Sequence, residues 1–282
     1  MKIEKITPRI GATITGIDVT RPLSTGEIEA ISDALNANGV IFFPGQPKLS
    51  GEEQRAFGGQ FGTIEAPPKL TKESELRDVL ILDFTRPVGS GTDIWHNDAS
   101  YLACPPMGSI LQAHILPECG GDTCFASMHA AYEALPADMK AMIDHKTASH
   151  STGRVLELTR SLGNPVYDDE ETLAPRSHPI VTLDPRTGRR RLFVNPNYTD
   201  SIDGMSKAES DRQLAFLYDH IKSPEFQMRY RWSVGDIAFW DNHAVQHYAV
   251  ADYTTRRRMQ RVTLAGYAPV GIGATDVEMV SA

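Results

Sequence analysis

Cysteine is scarce in this chain, and a long apolar run is absent. The three cysteines, Cys104, Cys119 and Cys124, cannot all pair with one another, and no C-x-x-C occurs. The sequence therefore predicts free thiols in a reducing, cytoplasmic setting. No stretch of about 18 apolar residues is present, so no membrane span is expected. The start, Met1-Lys2-Ile3-Glu4-Lys5, has no apolar leader segment. Internal repeats and low-complexity segments are also missing. Positive charge is in deficit: 28 Lys and Arg against 36 Asp and Glu give a formal net charge of −8. That balance argues against non-specific binding to nucleic acid or to anionic membrane.

What is present is ordinary for a globular protein: 282 residues, 41% hydrophobic and 23% charged. A chain of this length buries a core without staples, and residues 1–282 are expected to form one domain. Residues 2–19 read as strands joined by turns at Gly11 and Gly16. Ser24-Thr25-Gly26-Glu27 is a capping box that opens a helix ending at Gly39. Ser50-Gly51-Glu52-Glu53 repeats the signal and starts a second helix, to about Phe61. Val40–Phe43, Val79–Phe84, Gly108–Leu116 and Thr123–Ala126 read as strands. A helix is expected over 130–143, and another over Lys207–Ile221. Residues 159–177 read as a long loop, with the acidic run Asp168 to Glu171 as a candidate lid. Asp184-Pro185-Arg186-Thr187-Gly188 predicts a hairpin turn, and Ser233-Val234-Gly235 another. Arg256–Ala265 is the last clear strand. Strands outnumber helices, which predicts an antiparallel β-sandwich or barrel with helices packed outside it.

Within W-H-N-D-A-S-Y, residues 95–101, His96 and Asp98 are spaced i, i+2. On a strand both would point to one face, with Asn97 on the other. An imidazole and a carboxylate leave a divalent ion short of ligands, so a third must come from elsewhere. Two histidines and one carboxylate on one face of an ion leave positions open, as in non-haem Fe(II) oxygenases. His-x-Asp alone is weak, and a hydrogen-bonded polar pair is the commoner explanation. His243 and His247 are the best third partners. Their i, i+4 spacing resembles a zinc pair on a helix, but the H-E-x-x-H glutamate is absent and Asp241-Asn242 reads as a turn. His114, His129, His145, His150, His178 and His220 are assigned structural or surface roles.

In Arg256-Arg257-Arg258-Met259-Gln260-Arg261-Val262-Thr263, strand alternation puts Arg257, Met259, Arg261 and Thr263 on one face. A triple arginine is usually a solvated face. This one leads into an apolar run, so part of it should enter the core, where an arginine needs an anionic partner. Two arginines on one side suggest two anion sites, one near the metal and one further along.

Taken in order, further pieces join these: I-G-A-T-I-T-G-I-D-V-T-R-P-L-S, V-I-F-F-P-G-Q, R-A-F-G-G-Q-F-G, G-G-D-T, H-P-I-V, F-V-N, G-D-I-A-F-W-D-N, Q-H-Y-A and R-R-x-M-x-R-V-T-L. Together they resemble the taurine dioxygenase/2,4-D dioxygenase (TauD/TfdA) family of Fe(II)- and 2-oxoglutarate-dependent oxygenases, over nearly the whole chain. The resemblance implies a double-stranded β-helix (jelly-roll, cupin-like) core with flanking helices. It implies an oxidoreductase that uses Fe(II), 2-oxoglutarate and O2 to hydroxylate a small anionic substrate, and a homo-oligomer, dimer or tetramer. His96, Asp98 and His247 match the iron ligands, and His243 does not. Thr123 and Arg257 match the positions that hold the distal carboxylate of 2-oxoglutarate. Arg261 matches the arginine near the substrate's acid group. The register is anchored on M-x-R-V-T-L, which selects Arg257 rather than Arg258. Thr63-Ile64-Glu65 stands where the taurine enzyme has a histidine after F-G. Thr92 replaces its asparagine four residues before the first ligand, and Ala99 a valine. These departures argue against taurine itself and mark Thr92 and Ala99 as substrate-facing candidates. Two other classes would use a similar barrel: a metal-dependent hydrolase or isomerase, in which Arg257 and Thr123 are idle, and a non-catalytic binding barrel with a lost ligand.

Overall fold

The computed structural model describes residues 1–66, 78–85, 92–161 and 174–273. Strand β1 (Lys2–Lys5) pairs antiparallel with β2 (Ala12–Thr15), Lys2 opposite Thr15. Helix α1 (Thr25–Asn38) begins at the predicted capping box: the Ser24 hydroxyl accepts from the Glu27 amide while Glu27 accepts from the Ser24 amide. After Gly39 comes β3 (Val40–Phe43). Helix α2 (Gly51–Gly58) uses the same device at Ser50 and Glu53. Then follow β4 (Ile64–Glu65), β5 (Val79–Phe84), β6 (Gly108–Ile115) and β7 (Thr123–Ser127).

The helix expected over 130–143 is two helices, α3 (Met128–Glu133) and α4 (Ala137–Ile143). Pro136 stands between them as the N-cap of the second. It lacks an N–H and clashes with the preceding turn, so the first helix must stop before it. Strand β8 (Thr147–His150), helix α5 (Gly153–Ser161) and strand β9 (Arg176–Pro179) come next. The long loop expected over 159–177 thus begins inside α5 and ends inside β9. The candidate lid, Asp168 to Glu171, lies outside the described residues. Strands β10 (Val181–Leu183) and β11 (Arg190–Leu192) form the predicted hairpin across Asp184–Gly188. The remainder is β12 (Thr199–Ile202), α6 (Lys207–Ile221), β13 (Gln227–Tyr230), β14 (Ile237–Asp241), β15 (Val245–Ala249) and β16 (Arg257–Leu264). Strands β13 and β14 are not the hairpin expected from Ser233-Val234-Gly235. β13 pairs with β7 and β14 with β3 and β6, so the connection crosses from one sheet to the other. Its two flanks belong to different hydrogen-bond ladders, which local turn signals do not report.

The larger sheet runs β1-β2-β3-β14-β6-β16-β4, with β5 also on β16; the smaller one facing it is β13-β7-β15. Two facing sheets of mostly antiparallel strands form a double-stranded β-helix, or jelly roll. Alternation along the strands builds its layers. Ile41, Phe43, Ile237, Phe239 and Val262 pack outward against α1 and α2 residues such as Ile31, Leu35 and Phe57. Phe42, Ala238, Trp240 and Met259 point inward, against Phe125 and Val245 of the small sheet. Met259 fixes the inward side of β16, so Arg257 and Arg261 share the interior face, as the sequence predicts. A third cluster packs β10 and β11 against α3, α4 and α6.

Two histidines are fully buried in this frame away from any ligand role. Burial pushes His150 down to about 3 and His243 to about 4, from an ordinary value of 6.5. Below pH 6.5 the unfolded chain binds protons that the folded chain refuses. Stability therefore falls as pH drops from 6.5 towards 4, by about 1.4 kcal/mol per pH unit for each histidine. The melting temperature should decrease from pH 7 to pH 5, and His243→Phe should flatten that decrease; an unchanged slope in the variant would contradict the assignment.

Candidate metal and anion site

His247 lies in the middle of β15, opposite Phe125 of β7. His96 meets it as an isolated antiparallel bridge: the His96 amide donates to the His247 carbonyl at 3.1 Å, and the His247 amide to the His96 carbonyl at 2.9 Å. This exchange places the two imidazole rings 4.1 Å apart. Asp98 is not on a continuing strand, which corrects the expectation of an extended pair. The chain turns at once, and Ala99 takes a left-handed φ of 48°, a conformation that costs a non-glycine residue energy. The turn swings the Asp98 carboxylate onto the two histidines. Its Oδ1 stands 3.8 Å from Nε2 of His96 and 3.8 Å from Nε2 of His247. Asn97 points the opposite way, its amide donating to the carbonyls of Asn242 and Val245.

The electrostatics suit a cation. His96 Nδ1 is 2.7 Å from the Ile94 carbonyl. A carbonyl only accepts, so Nδ1 carries the proton and Nε2 keeps its lone pair. Burial pushes both imidazoles down, His247 to about 3, so both are neutral. Burial would push the Asp98 carboxyl up, but the Arg261 guanidinium beside it outweighs that and holds Asp98 well below the usual carboxylate range. The separations of 3.8 Å exceed a hydrogen bond. Two neutral ring nitrogens and one carboxylate oxygen, converging and mutually unbonded, therefore fit a divalent metal ion.

Beyond the triad, one pocket is lined by His96, His247, Thr92, Thr123, Trp240, Arg257 and Arg261, with apolar walls from Leu82, Phe84 and Leu111. Arg257 is 7% exposed and donates through Nε to the Gly121 carbonyl at 2.9 Å. No carboxylate among the described residues pairs with it, and burial works against its charge. An anion would answer that cost. Thr123 is 3% exposed, and the Trp232 indole donates to its hydroxyl at 3.0 Å. Arg256 instead makes an exposed two-point pair with Asp83, and Arg258 lies on the other face of β16. Arg261 reaches Asp98 Oδ1 at 3.0 Å, so it borders the triad itself. Thr92 lines the pocket at its exposed side, whereas Ala99 is half-buried and is not part of the lining. His243 lies apart from the triad; it stacks on Tyr267 and bonds the Pro105 carbonyl. His114, His129, His150, His178 and His220 bond protein groups, and His145 is exposed.

Several supports of the site are invisible to short-range reading. The Asn242 side chain accepts from the Asp98 amide at 2.7 Å and donates to the Asp98 carbonyl at 2.9 Å, spanning the turn. Ser109 donates to Asp98 Oδ2 at 3.2 Å. On the far side of the turn, the Ser100 hydroxyl is held by His150 and Asn195. D-N in F-W-D-N was the only sequence signal for Asn242. Nothing marked Ser109, Ser100 or Trp232.

The family model described as taurine catabolism dioxygenase TauD, TfdA family matches residues 2–263. The chain belongs to this family. An α-ketoglutarate-dependent sulfate ester dioxygenase of Pseudomonas putida is 35% identical, covering 96% of this chain and 92% of its own. An α-ketoglutarate-dependent 2,4-dichlorophenoxyacetate dioxygenase of Cupriavidus pinatubonensis is 32% identical, over 91% and 94%. The crystal structure of a taurine dioxygenase from Burkholderia xenovorans superposes with a TM-score of 0.82 at 32% identity, over 97% and 94%. Within the TauD, TfdA fold, the Asn242 side chain holds both the N–H and the C=O of Asp98 at the start of the turn from Asp98 to Leu102. Asn242→Ala leaves two buried backbone groups of Asp98 unpaired, so it should cost roughly 1–3 kcal/mol of stability and weaken metal binding about 10- to 100-fold. Metal titration of the folded variant checks this; wild-type affinity would contradict it.

Proposed function

We propose that this 2-oxoglutarate-dependent dioxygenase takes Fe(II) at His96, Asp98 and His247 and hydroxylates a small organic acid. One observation carries the reading: two histidines of a convergent His-Asp-His cluster line the same pocket as a buried arginine that lacks a carboxylate partner among the described residues. A metal hydrolase has no use for that second anchor. Arg257 and Thr123 are assigned to the distal carboxylate of 2-oxoglutarate, where a guanidinium fork and a hydroxyl suit its two oxygens. Trp232 sets the Thr123 hydroxyl for that contact.

When bound, iron with O2 and 2-oxoglutarate supplies the oxidation of a substrate C–H bond to C–OH, with release of succinate and CO2. The chain's own residues do the rest. The Ile94 carbonyl fixes the His96 ring, while Ser109 and Asn242 fix Asp98. Leu82, Leu111 and Trp240 keep bulk water off the triad. Arg261, beside Asp98, is assigned to the substrate's acid group, with Thr92 as a further specificity position and Ala99 bearing on the pocket only through the turn that aims Asp98. The named relatives act on a sulfate ester and an aryloxyacetate, which supports the same class here: sulfate esters, sulfonates or aryloxyalkanoates. Hydroxylation at a carbon bearing an ester or ether oxygen gives a product that falls apart. The proposal takes 1–282 as one catalytic domain, cytoplasmic and homo-oligomeric.

Anaerobic addition of Fe(II) and 2-oxoglutarate should give a weak visible charge-transfer band that His96→Ala abolishes; a wild-type protein without the band would sink the metal assignment. Arg257→Gln should raise the 2-oxoglutarate requirement at least about tenfold, the loss expected for a charge-assisted pair, and Arg258→Gln should not. Equal effects would show that the wrong arginine has been chosen. A succinate-release screen over alkyl sulfates, alkanesulfonates and aryloxyalkanoates should identify at least one productive acid.

A further inference from the structure

Arg257 is steered by backbone it does not own. Gly120 and Gly121 are consecutive left-handed residues, with φ of 81° and 74°, a pairing that side chains with a Cβ avoid. The Gly121 carbonyl accepts from Arg257 Nε at 2.9 Å. The Gly121 amide donates to Asp252 Oδ1 at 2.8 Å. One residue is therefore gripped from both sides, by Asp252 through its N–H and by Arg257 through its C=O. Space enforces the arrangement. A Cβ on Gly120 would lie 2.6 Å from Asp252 Oδ1, and one on Gly121 3.0 Å from Arg257 Cδ.

Asp252 sits in the segment between β15, which carries His247, and β16, which carries Arg257. Its other oxygen accepts from Arg229 Nη2 at 2.9 Å, and Arg229 Nε donates to Asp122 at 2.6 Å. The Val250 amide closes the ring onto the Asp122 carbonyl at 2.9 Å. Hydrogen bonding by the Gly121 amide, with Arg229 adding to it, holds the Asp252 carboxyl below its ordinary value. With Nε committed to Gly121, the two terminal nitrogens of Arg257 are the ones left for an anion in the pocket.

We propose that Asp252 is a positioning residue for the co-substrate: through Gly120–Gly121 it fixes the direction in which Arg257 presents its guanidinium. This rests on the assignment of Arg257 to the distal carboxylate of 2-oxoglutarate. The Arg229 bridge is exposed and screened by salt, so it contributes little. The Gly121 amide contact is the part that aims the arginine.

The test compares two 2-oxo acids on Mn(II)-loaded protein by calorimetry. 2-Oxoglutarate has the distal carboxylate; 2-oxovalerate has the same keto-acid end and lacks it. Wild type should prefer 2-oxoglutarate by about 100-fold, the worth of a buried charge-assisted pair. Asp252→Ala should shrink that preference about tenfold by weakening 2-oxoglutarate alone. Asp252→Asn, which keeps an acceptor for the Gly121 amide, should restore most of it. Mn(II) affinity should stay within about twofold throughout, because Asp252 touches no metal ligand. If Asp252→Ala does not fold, Asp252→Glu takes its place; it keeps the charge, moves the acceptor by one methylene and should also lower the preference. Equal weakening of both acids would reduce Asp252 to a structural role and overturn the proposal. So would full preference in Asp252→Ala or Asp252→Glu. A wild type with no preference would instead overturn the assignment of Arg257 itself.

Discussion

Asp98 keeps a negative charge inside the protein, and the surrounding structure is arranged to make that tolerable. A carboxylate removed from water without partners is strongly disfavoured. Here one oxygen faces two imidazole nitrogens and the Arg261 guanidinium, and the other accepts from Ser109. Its backbone is pinned by Asn242 at both N–H and C=O. The strained left-handed Ala99 next to it persists because these contacts over-determine the turn. Without that turn, Asp98 would not come round to meet His96 and His247.

The jelly roll separates two tasks along a single pocket. One end brings together His96, Asp98 and His247, a cluster that could hold a metal ion, from a bridge between β15 and the 95–101 segment. The other end is Arg257 and Thr123, on β16 and β7. Strand β16, which carries Arg257, has outward residues locked into the core against α1 and α2, while β7 and β15 pack Phe125 and Val245 into the interior of the roll. The strands fix the distance between the His-Asp-His cluster and Arg257, and the short segment from Val250 to Arg256 joins His247's strand to Arg257's along the chain. The chemistry proposed for the family needs that fixed span, because one small co-substrate must touch both ends at once.

Much of this was legible in the sequence wherever the signal was local. Capping boxes at Ser24 and Ser50 marked helix starts, and alternation in 256–263 correctly sorted Arg257 and Arg261 from Arg256 and Arg258. The three residues proposed as metal ligands were named and lie together. Their geometric reason differed, since the pair is a bridge followed by a turn rather than a strand. Local reading failed where a ladder or a long contact decided the outcome. Pro136 splits a helix that composition alone runs together, and Ser233-Val234-Gly235 joins two sheets rather than two paired strands. Ser109 and Trp232 act across about 10 and more than 100 positions of sequence, and no spacing rule reaches them; Asn242 was a candidate from its place beside the histidines, but its partner proved to be Asp98.

The account stands or falls on whether metal, 2-oxoglutarate and O2 react at one place in this pocket. Mass spectrometry of succinate formed under 18O2, with an acid that the protein turns over, measures that directly. The account predicts succinate carrying one atom of 18O, formed by wild type and lost in His96→Ala, Asp98→Ala and His247→Ala. Product formed without succinate, or succinate free of label, would contradict it.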